Sequence, residues 1–363
     1  MFDAVHAGRW LEQFKYEEID FVLFPSSPHR RVHSKIRTLI GSSGPATYKL
    51  APGSRIYGLP LWFVDKILSN RFRGLILRKI AELFSPHIVH ALELTNAGYV
   101  SLRAFAPTEK RFKLISTNWG SDIHWFSRFP KHRKRLTQLL SISDAYSCEC
   151  HRDVALAKDL GFSGEVLPVI PNAGGFSHLE SSFTPIEDRK LILVKGYQNW
   201  AGRANVAISA LSQLRQELDG YRVVVFSANL STIFFAKRKL GSLGENLVIH
   251  RKFSLSHEQV LTLFSRARIY VGLSVTDGIS TSMLEAMAMG AIPVQTSTSC
   301  CDEWFSDSGV AIREISIEAV TDGIVRALEL AEDPRNAAKN LDTIRLHADA
   351  GKVSLVARTF YNV

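Results

Sequence analysis

The chain has 363 residues, 46% of them hydrophobic and 22% charged, which allows two domains with cores of their own and is ordinary for a globular protein. No apolar run approaches the roughly 18 residues of a membrane span, and the opening MFDAVHAGRWLEQF lacks the basic region and apolar stretch of an export signal, so a cytosolic protein is expected. The net charge of +9 lies in the first 170 residues, with 24 Lys plus Arg against 15 Asp plus Glu; the remainder balances at 20 against 20.

Strand and helix patterns alternate along the chain. In the first half, residues 19–24 (IDFVLF), 87–91 (HIVHA), 113–116, 145–147 and 165–168 read as strands; in the second half 190–195, 222–227, 247–250, 269–273 and 292–294 do. Helical patterns between them predict an α/β protein of doubly wound parallel sheets. Residues 171–190, PNAGGFSHLESSFTPIEDRK, are rich in Pro, Gly and Ser and read as a linker. The expected division is an N-terminal domain over 1–170, a linker over 171–189 and a C-terminal domain over 190–351. A final amphipathic helix, 352–363, is expected to return to the first domain. Two such domains facing one another would leave a central cleft at the carboxyl ends of their strands, where open sheets bind ligands.

The excess positive charge concentrates in HRRVHSKIR (29–37), KILSNRFRGLILRK (66–79) and RFPKHRKR (128–135). Around the second cluster Leu68, Phe72, Leu75, Ile76, Ile80 and Leu83 recur at helical spacing, with Arg71, Arg73, Arg78 and Lys79 between them. Two readings stand. The helix packs by its apolar side and leaves a basic side in solvent, or it docks on anionic lipid headgroups. Nucleic acid is disfavoured, because no helix-turn-helix, RNP or OB signature is present. Cys148 with Cys150, and Cys300 with Cys301, do not match the C-x2-C spacing of zinc sites and are expected to be reduced thiols.

Chemistry-bearing residues cluster after strands. Glu93 and Asn96 follow the second strand, in a position suited either to substrate contact or to a capped turn. The stretch ISTNWGSDIHWF (115–126) sets Trp119, Asp122 and His124 beyond the third strand, where a capped helix start is the plain alternative. ILVKGYQNWAGRANVAISAL (192–211) runs from a strand through a glycine-containing loop with Lys195 and Arg203 into a helix from about residue 204. A basic group there complements a diphosphate, although a solvated loop would look the same. VIHRKF (248–253) ends a strand with Lys252 and Phe253.

The densest stretch is TDGISTSMLEAMAMGAIPVQ (276–295), preceded by the apolar strand ARIYVGLSV. Asp277 and Gly278 break the strand, Ser280 to Ser282 are good N-caps, and a helix should start near 280 or 281 and end at Gly290. The amides of Gly278, Ile279, Ser280, Thr281 and Ser282 would then offer a positive helix end to an anionic phosphate. Glu285 stands eight positions after Asp277, in the first turns, where complementarity to the helix dipole would by itself favour an acid.

As a whole, 276–295 resembles the E-x7-E segment of family 4 glycosyltransferases, retaining enzymes of the GT-B fold, with Asp277 in place of the commoner Glu. The resemblance is strongest from 190 to 294. It implies transfer of a sugar from a nucleotide diphosphate sugar to a hydroxyl acceptor; taken with the positive charge of the first half, the acceptor is expected among bacterial envelope polysaccharide or lipid-linked material and the protein peripheral on the inner, anionic face of a membrane. It also implies that Glu285 binds the ribose hydroxyls, Asp277 the donor sugar, and Arg203 and Lys195 the diphosphate, with Lys252 near the nucleotide. Trp119, Asp122, His124 and Glu93 would line the donor sugar or acceptor side, Trp119 standing where the family has His. No D-x-D motif is present, so neither metal nor other cofactor is expected. Two departures are notable: the family's G-R-x3-4-K-G order is not kept around Lys195 and Arg203, and the first strand of the N-terminal domain reads as missing or shortened, since only MFDAVHAG precedes the pattern GRWLEQFKYEE. A second reading is a non-catalytic nucleotide-sugar-binding protein attached through its basic half. A sugar nucleotide epimerase of the same fold lacks acid and base candidates.

Overall fold

A computed structural model describes residues 5–26, 32–54, 70–106, 109–177, 184–214 and 216–363, together with positions 56, 63, 65, 67 and 68. Parts of the basic clusters at 29–37 and 66–79, and of the expected linker, lie outside the described residues. The chain divides into two compact units, residues 1–175 with 350–363, and residues 176–349.

In the first unit, strand β1 (Asp20–Leu23) pairs in parallel with β2 (Thr47–Leu50), and β3 (Ile88–Leu92), β4 (Lys113–Thr117), β5 (Ala145–Ser147) and β6 (Glu165–Val166) form a parallel sheet in that order. Among the described residues, helix Val5–Glu12 precedes the first strand. Trp10 of that helix and Phe14 just beyond it join a cluster with Val353 and Ala357 of the last helix, Ala350–Thr359, and Phe360 that follows it. Chain start and chain end are thus packed together, and Trp10 Nε1 donates to Tyr361 Oη at 2.9 Å.

The second unit holds one six-stranded parallel sheet built from β7 (Leu191–Lys195), β8 (Arg222–Ala228), β9 (Leu247–Arg251), β10 (Ala267–Gly272), β11 (Ile292–Thr296) and β12 (Val310–Ile312). Its spatial order is β12-β11-β10-β7-β8-β9, the doubly wound order of dinucleotide-binding sheets. The strands are apolar on both faces because both are covered. Ile192, Val194, Val223, Val225, Ile269 and Val271 enter one core, while Leu191, Leu193, Val224, Phe226 and Tyr270 enter the other. Each such aliphatic side chain contributes roughly 1.5–3 kcal/mol on burial.

Two buried guanidinium groups strap the segment ahead of β7 to this unit. Arg268 Nη1 donates to the carbonyls of Ile186 (3.0 Å) and Glu187 (2.7 Å), and Arg189 Nη1 to those of Ala267 and Met289.

The strands expected in both halves are present, within a residue or two at their ends, and β2 and β12 were not expected. The helix expected around 66–79 runs over Arg71–Phe84, and its packing corrects one of the two readings. Its buried positions are Arg73, Gly74 and Leu77, whereas Leu68, Phe72, Leu75 and Leu83 are exposed. Ile76 and Ile80 are half-buried, so four of the six stripe positions face away from the core. No helix among the described residues is long and apolar enough to cross a membrane. All four cysteines are buried and none forms a disulfide.

Candidate functional site

The order of the second sheet brings two loops together. β7 and β10 lie side by side at the point where the winding reverses, the place at which open α/β sheets bind ligands beyond their strand ends. The two loops are the loop after Lys195 and the loop that leads to Asp277. They are stitched to one another: Arg203 N donates to Leu273 O (3.0 Å), Val275 N to Ala201 O (2.9 Å), and Gly202 bridges Ser274.

On the first loop, Lys195 Nζ lies 5.2 Å from the centre of the Tyr197 ring, and Lys252, beyond β9, lies 5.3 Å from the same ring. Tyr197 thus gathers two ammonium groups that stand far apart in sequence. Lys252 also lies 4.9 Å from the Phe253 ring, which is exposed. Arg203 behaves differently. Its Nη1 donates to the carbonyls of Asn199 (3.1 Å), Trp200 (3.3 Å) and Gly202 (2.9 Å), so the guanidinium braces its own loop. Helix Ala204–Leu211 follows, from the residue expected.

On the second loop, Asp277 Oδ1 accepts from Gly278 N at 3.0 Å. Ser280 is the N-cap of helix Thr281–Ala288 and accepts from Met283 N, as expected. The helix ends ahead of Gly290, whose φ of 72° lies in the left-handed region that closes helices. Gly278, Ile279 and Ser280 are buried, Thr281 and Ser282 partly so. Beneath them Tyr270 is fully buried, within electrostatic reach of Ser280, Ser282, Glu285 and Asp277, and burial holds its phenol well above the usual range.

Glu285 is buried, 6% exposed, and its Oε1 meets His257 Nε2 at 2.8 Å. His257 is the first residue of helix His257–Arg266, whose start is fixed by a capping box in which Ser256 and Gln259 exchange hydrogen bonds. Sequence reasoning missed this residue. The string SHEQ was a legible helix start, but the reach from one helix to the next across 28 residues is tertiary. Around the same strand ends the buried atoms Asn205 Oδ1, Ser274 Oγ, Gln295 Oε1 and Ser297 Oγ have no hydrogen-bond partner among the described residues. Buried polar atoms left unpaired are rare and expensive, and several at one strand edge suit a bound polar ligand.

In the first unit, Glu93 and Asp122 form a buried acidic pair at the carboxyl ends of β3 and β4. Glu93 takes a φ of 86°, and its carboxylate accepts from Thr95 N (3.1 Å), Asn96 N (3.0 Å) and the Thr95 hydroxyl. Asp122 Oδ2 accepts from Leu94 N (2.8 Å) and Trp119 N (3.4 Å). Burial, then the neighbouring Glu93 charge, pushes Asp122 up to about 8, and burial raises Glu93 as well. Both acids thus hold the turn at 94–98 through backbone amides. The short helix Ser121–His124 begins after Gly120 without a side-chain cap, unlike the capped start considered from sequence. Trp119 packs edge-on against His6 and its buried Nε1 has no hydrogen-bond partner among the described residues. His124 Nε2 lies 3.3 Å from Arg128 Nη2, and burial with the Arg152 and Arg128 charges lowers it to about 4.

Comparison with known proteins agrees with this architecture. No curated protein sequence matches the chain. Sucrose-phosphate synthase from Thermosynechococcus elongatus is similar in structure, with a TM-score of 0.72 at 13% identity over 98% of this chain and 90% of that one. HepE of Anabaena, in complex with UDP and glucose, gives 0.64 at 12% identity over 95% and 100%. S. aureus TarM, a point mutant in complex with fondaparinux, α-GlcNAc-glycerol and UDP, gives 0.57 at 12% identity over 72% of this chain; the chain spans about half, 54%, of TarM. Residues 179–342 match the family model described as glycosyl transferases group 1. The chain has the GT-B fold, with two units of parallel Rossmann-like sheet, and most of its second unit carries the sequence pattern of glycosyl transferases group 1.

Proposed function

We propose that the protein is a retaining glycosyltransferase of the family 4 kind, a hexosyltransferase that moves a sugar from a nucleotide diphosphate sugar to a hydroxyl acceptor. The observation that supports this reading is the switch point at β7 and β10, beyond whose strand ends lie the two lysines gathered by Tyr197, the helix N-terminus at Ser280, and unpaired buried polar atoms. In the reaction the bond between the sugar carbon and the diphosphate oxygen breaks, and a bond to the acceptor oxygen forms. The acceptor proton passes to the departing phosphate. Negative charge grows on that phosphate, and Lys195, Lys252 and the helix start from Ile279 to Ser282 would supply complementary positive potential, the Gly278 amide being taken by Asp277 in the free protein. Arg203 supports this by fixing the loop that carries Lys195, and directly where its remaining nitrogens reach the diphosphate.

Glu285 would take the ribose hydroxyls and Asp277 the donor sugar, while Trp119, Asp122, His124 and Glu93 would belong to the donor sugar or acceptor side. UDP, present in the TarM and HepE structures, is the first nucleotide to test. An acceptor carried on a lipid of envelope polysaccharide or glycolipid synthesis would make the protein a peripheral protein of the inner membrane face. Release of nucleoside diphosphate from a panel of nucleotide sugars tests the reading. Glu285→Gln and Asp277→Asn should each lower turnover sharply with the fold intact. Tight donor binding with no turnover under any acceptor mixture would refute catalysis, and wild-type turnover in both variants would refute the assigned roles.

A further inference from the structure

Helix Arg71–Phe84 turns its small and charged side inward. Gly74 is buried against helix Tyr99–Phe105 so closely that a Cβ at this position would come within 2.7 Å of Arg103 Cβ and 3.1 Å of the Arg103 carbonyl carbon. Arg73, beside it, forms a fully buried ion pair with Asp65 (2.6 Å) and donates to Ser26 O (2.6 Å) and Asn70 Oδ1 (2.9 Å). These contacts fix the rotation of the helix. The opposite side then presents Phe72, Leu75 and Leu83, which are 41%, 52% and 69% exposed, with Lys79 between them. The spacing 72, 75, 79, 83 follows one face of a helix. Just ahead, Phe63, Ile67 and Leu68 are exposed as well. Arg71 stands exposed at the start of the helix. The one acid of the helix, Glu82, pairs with Lys79 at 2.9 Å and lies 3.9 Å from Arg78.

We propose that this face docks the protein on an anionic lipid bilayer. Phe72, Leu75 and Leu83 would enter the boundary between headgroups and acyl chains, while Arg71 and Lys79 meet lipid phosphates. Large apolar side chains gathered on one helix face mark an interaction surface rather than scatter. Charge selects the occupant. The half of the chain that carries this helix holds all of the net positive charge, so a second copy docking face to face would bring like charges together. An anionic surface attracts it. The inference deepens the reading of a lipid-linked acceptor and rests on it for its biological purpose, though not for its geometry.

The test is co-sedimentation of the full chain with vesicles of phosphatidylcholine alone and of phosphatidylcholine mixed with phosphatidylglycerol. Binding is expected only to the mixed vesicles and should weaken as salt rises. Arg71→Glu and Lys79→Glu should each weaken it by about fivefold or more at low salt. The triple variant Phe72→Ser/Leu75→Ser/Leu83→Ser should lose it by at least about tenfold with an unchanged melting temperature, because exposed positions contribute little to folding. Should the triple variant misfold, the two charge reversals still decide. The proposal is overturned if the wild-type chain ignores anionic vesicles, or if the variants bind as the wild type does. It is also overturned if the chain is a dimer in solution that the triple variant dissolves. UDP binding measured on the same preparations keeps the tests apart, since its absence would count against the transferase reading whatever the vesicles show.

Discussion

Replacing His257 by Ala removes the imidazole that meets Glu285 Oε1 at 2.8 Å. Glu285 is buried but the His257 side chain is 54% exposed, so water partly takes the place of the lost donor, and the cost falls at the low end of the range for a buried polar group short of a partner, about 1 kcal/mol. Glu285 would then turn away in the free protein to find other donors. Nucleotide binding would have to draw it back, which weakens affinity by roughly fivefold. His257→Gln, whose amide can donate to the same oxygen, should recover much of the loss. Calorimetric titration of the wild type and both variants with UDP, ADP and GDP gives the measurement, and a cycle with Glu285→Gln isolates the coupling between the two side chains. If His257→Ala binds its preferred nucleotide within about twofold of the wild type, the imidazole does not position Glu285, and the reasoning fails.

Three further outcomes follow from the geometry. Asp65→Asn breaks a fully buried ion pair and should destabilise the first unit by about 3–5 kcal/mol, read from its denaturant midpoint; an unshifted midpoint would mean that the pair adds nothing. Burial and the neighbouring Glu93 charge push Asp122 up to about 8 in the folded chain, against about 4 for a free carboxylate, so the folded state holds a proton that the unfolded state has released. Stability should therefore fall as pH rises from about 4 to 8. The half-buried His90 and His124, lowered to about 3 and about 4, act in the opposite sense and only below about pH 6.5. Melting temperatures from about pH 7 to 8 should accordingly decline, and Asp122→Asn should flatten that decline; an identical slope would remove Asp122 as its source. Lys252→Ala and Lys195→Ala should each weaken UDP binding while leaving the melting temperature within experimental scatter, and equal affinity in both would place the diphosphate elsewhere.

Most of the second unit was legible from sequence because its central strands β7 and β10 are largely apolar runs bounded by Gly196 and Gly272, and because Ser280 marks a helix start in the plainest way. What escaped was short or tertiary. β2 spans only TYKL, with exposed Lys49 in its middle, and β12 has three residues, so neither shows a period. The periodicity of the helix over 71–84 was readable, yet its orientation was not. A stripe of Phe and Leu suggests an inward face, and only the fit of Gly74 against Arg103 and the Arg73–Asp65 pair turn it outward. The candidate site divides in the same manner: Asp277, Glu285, Lys195 and Arg203 stand out by local context, whereas the roles of Tyr197 and His257 depend on which loops the sheet order brings side by side.

That sheet order also bears on biosynthesis. β7 and β10 are neighbours in space, yet β8, β9 and their helices separate them along the chain. A nascent chain that has emerged only as far as β9 has its lysine loop but no partner for it, and so offers no completed switch point. Affinity for nucleotide would thus arrive late, in a single step, when β10 closes against β7. Ligand present at that moment would favour the completed sheet by mass action. UDP capture by stalled chains of increasing length would show an abrupt onset after Gln295 clears the exit rather than a gradual rise.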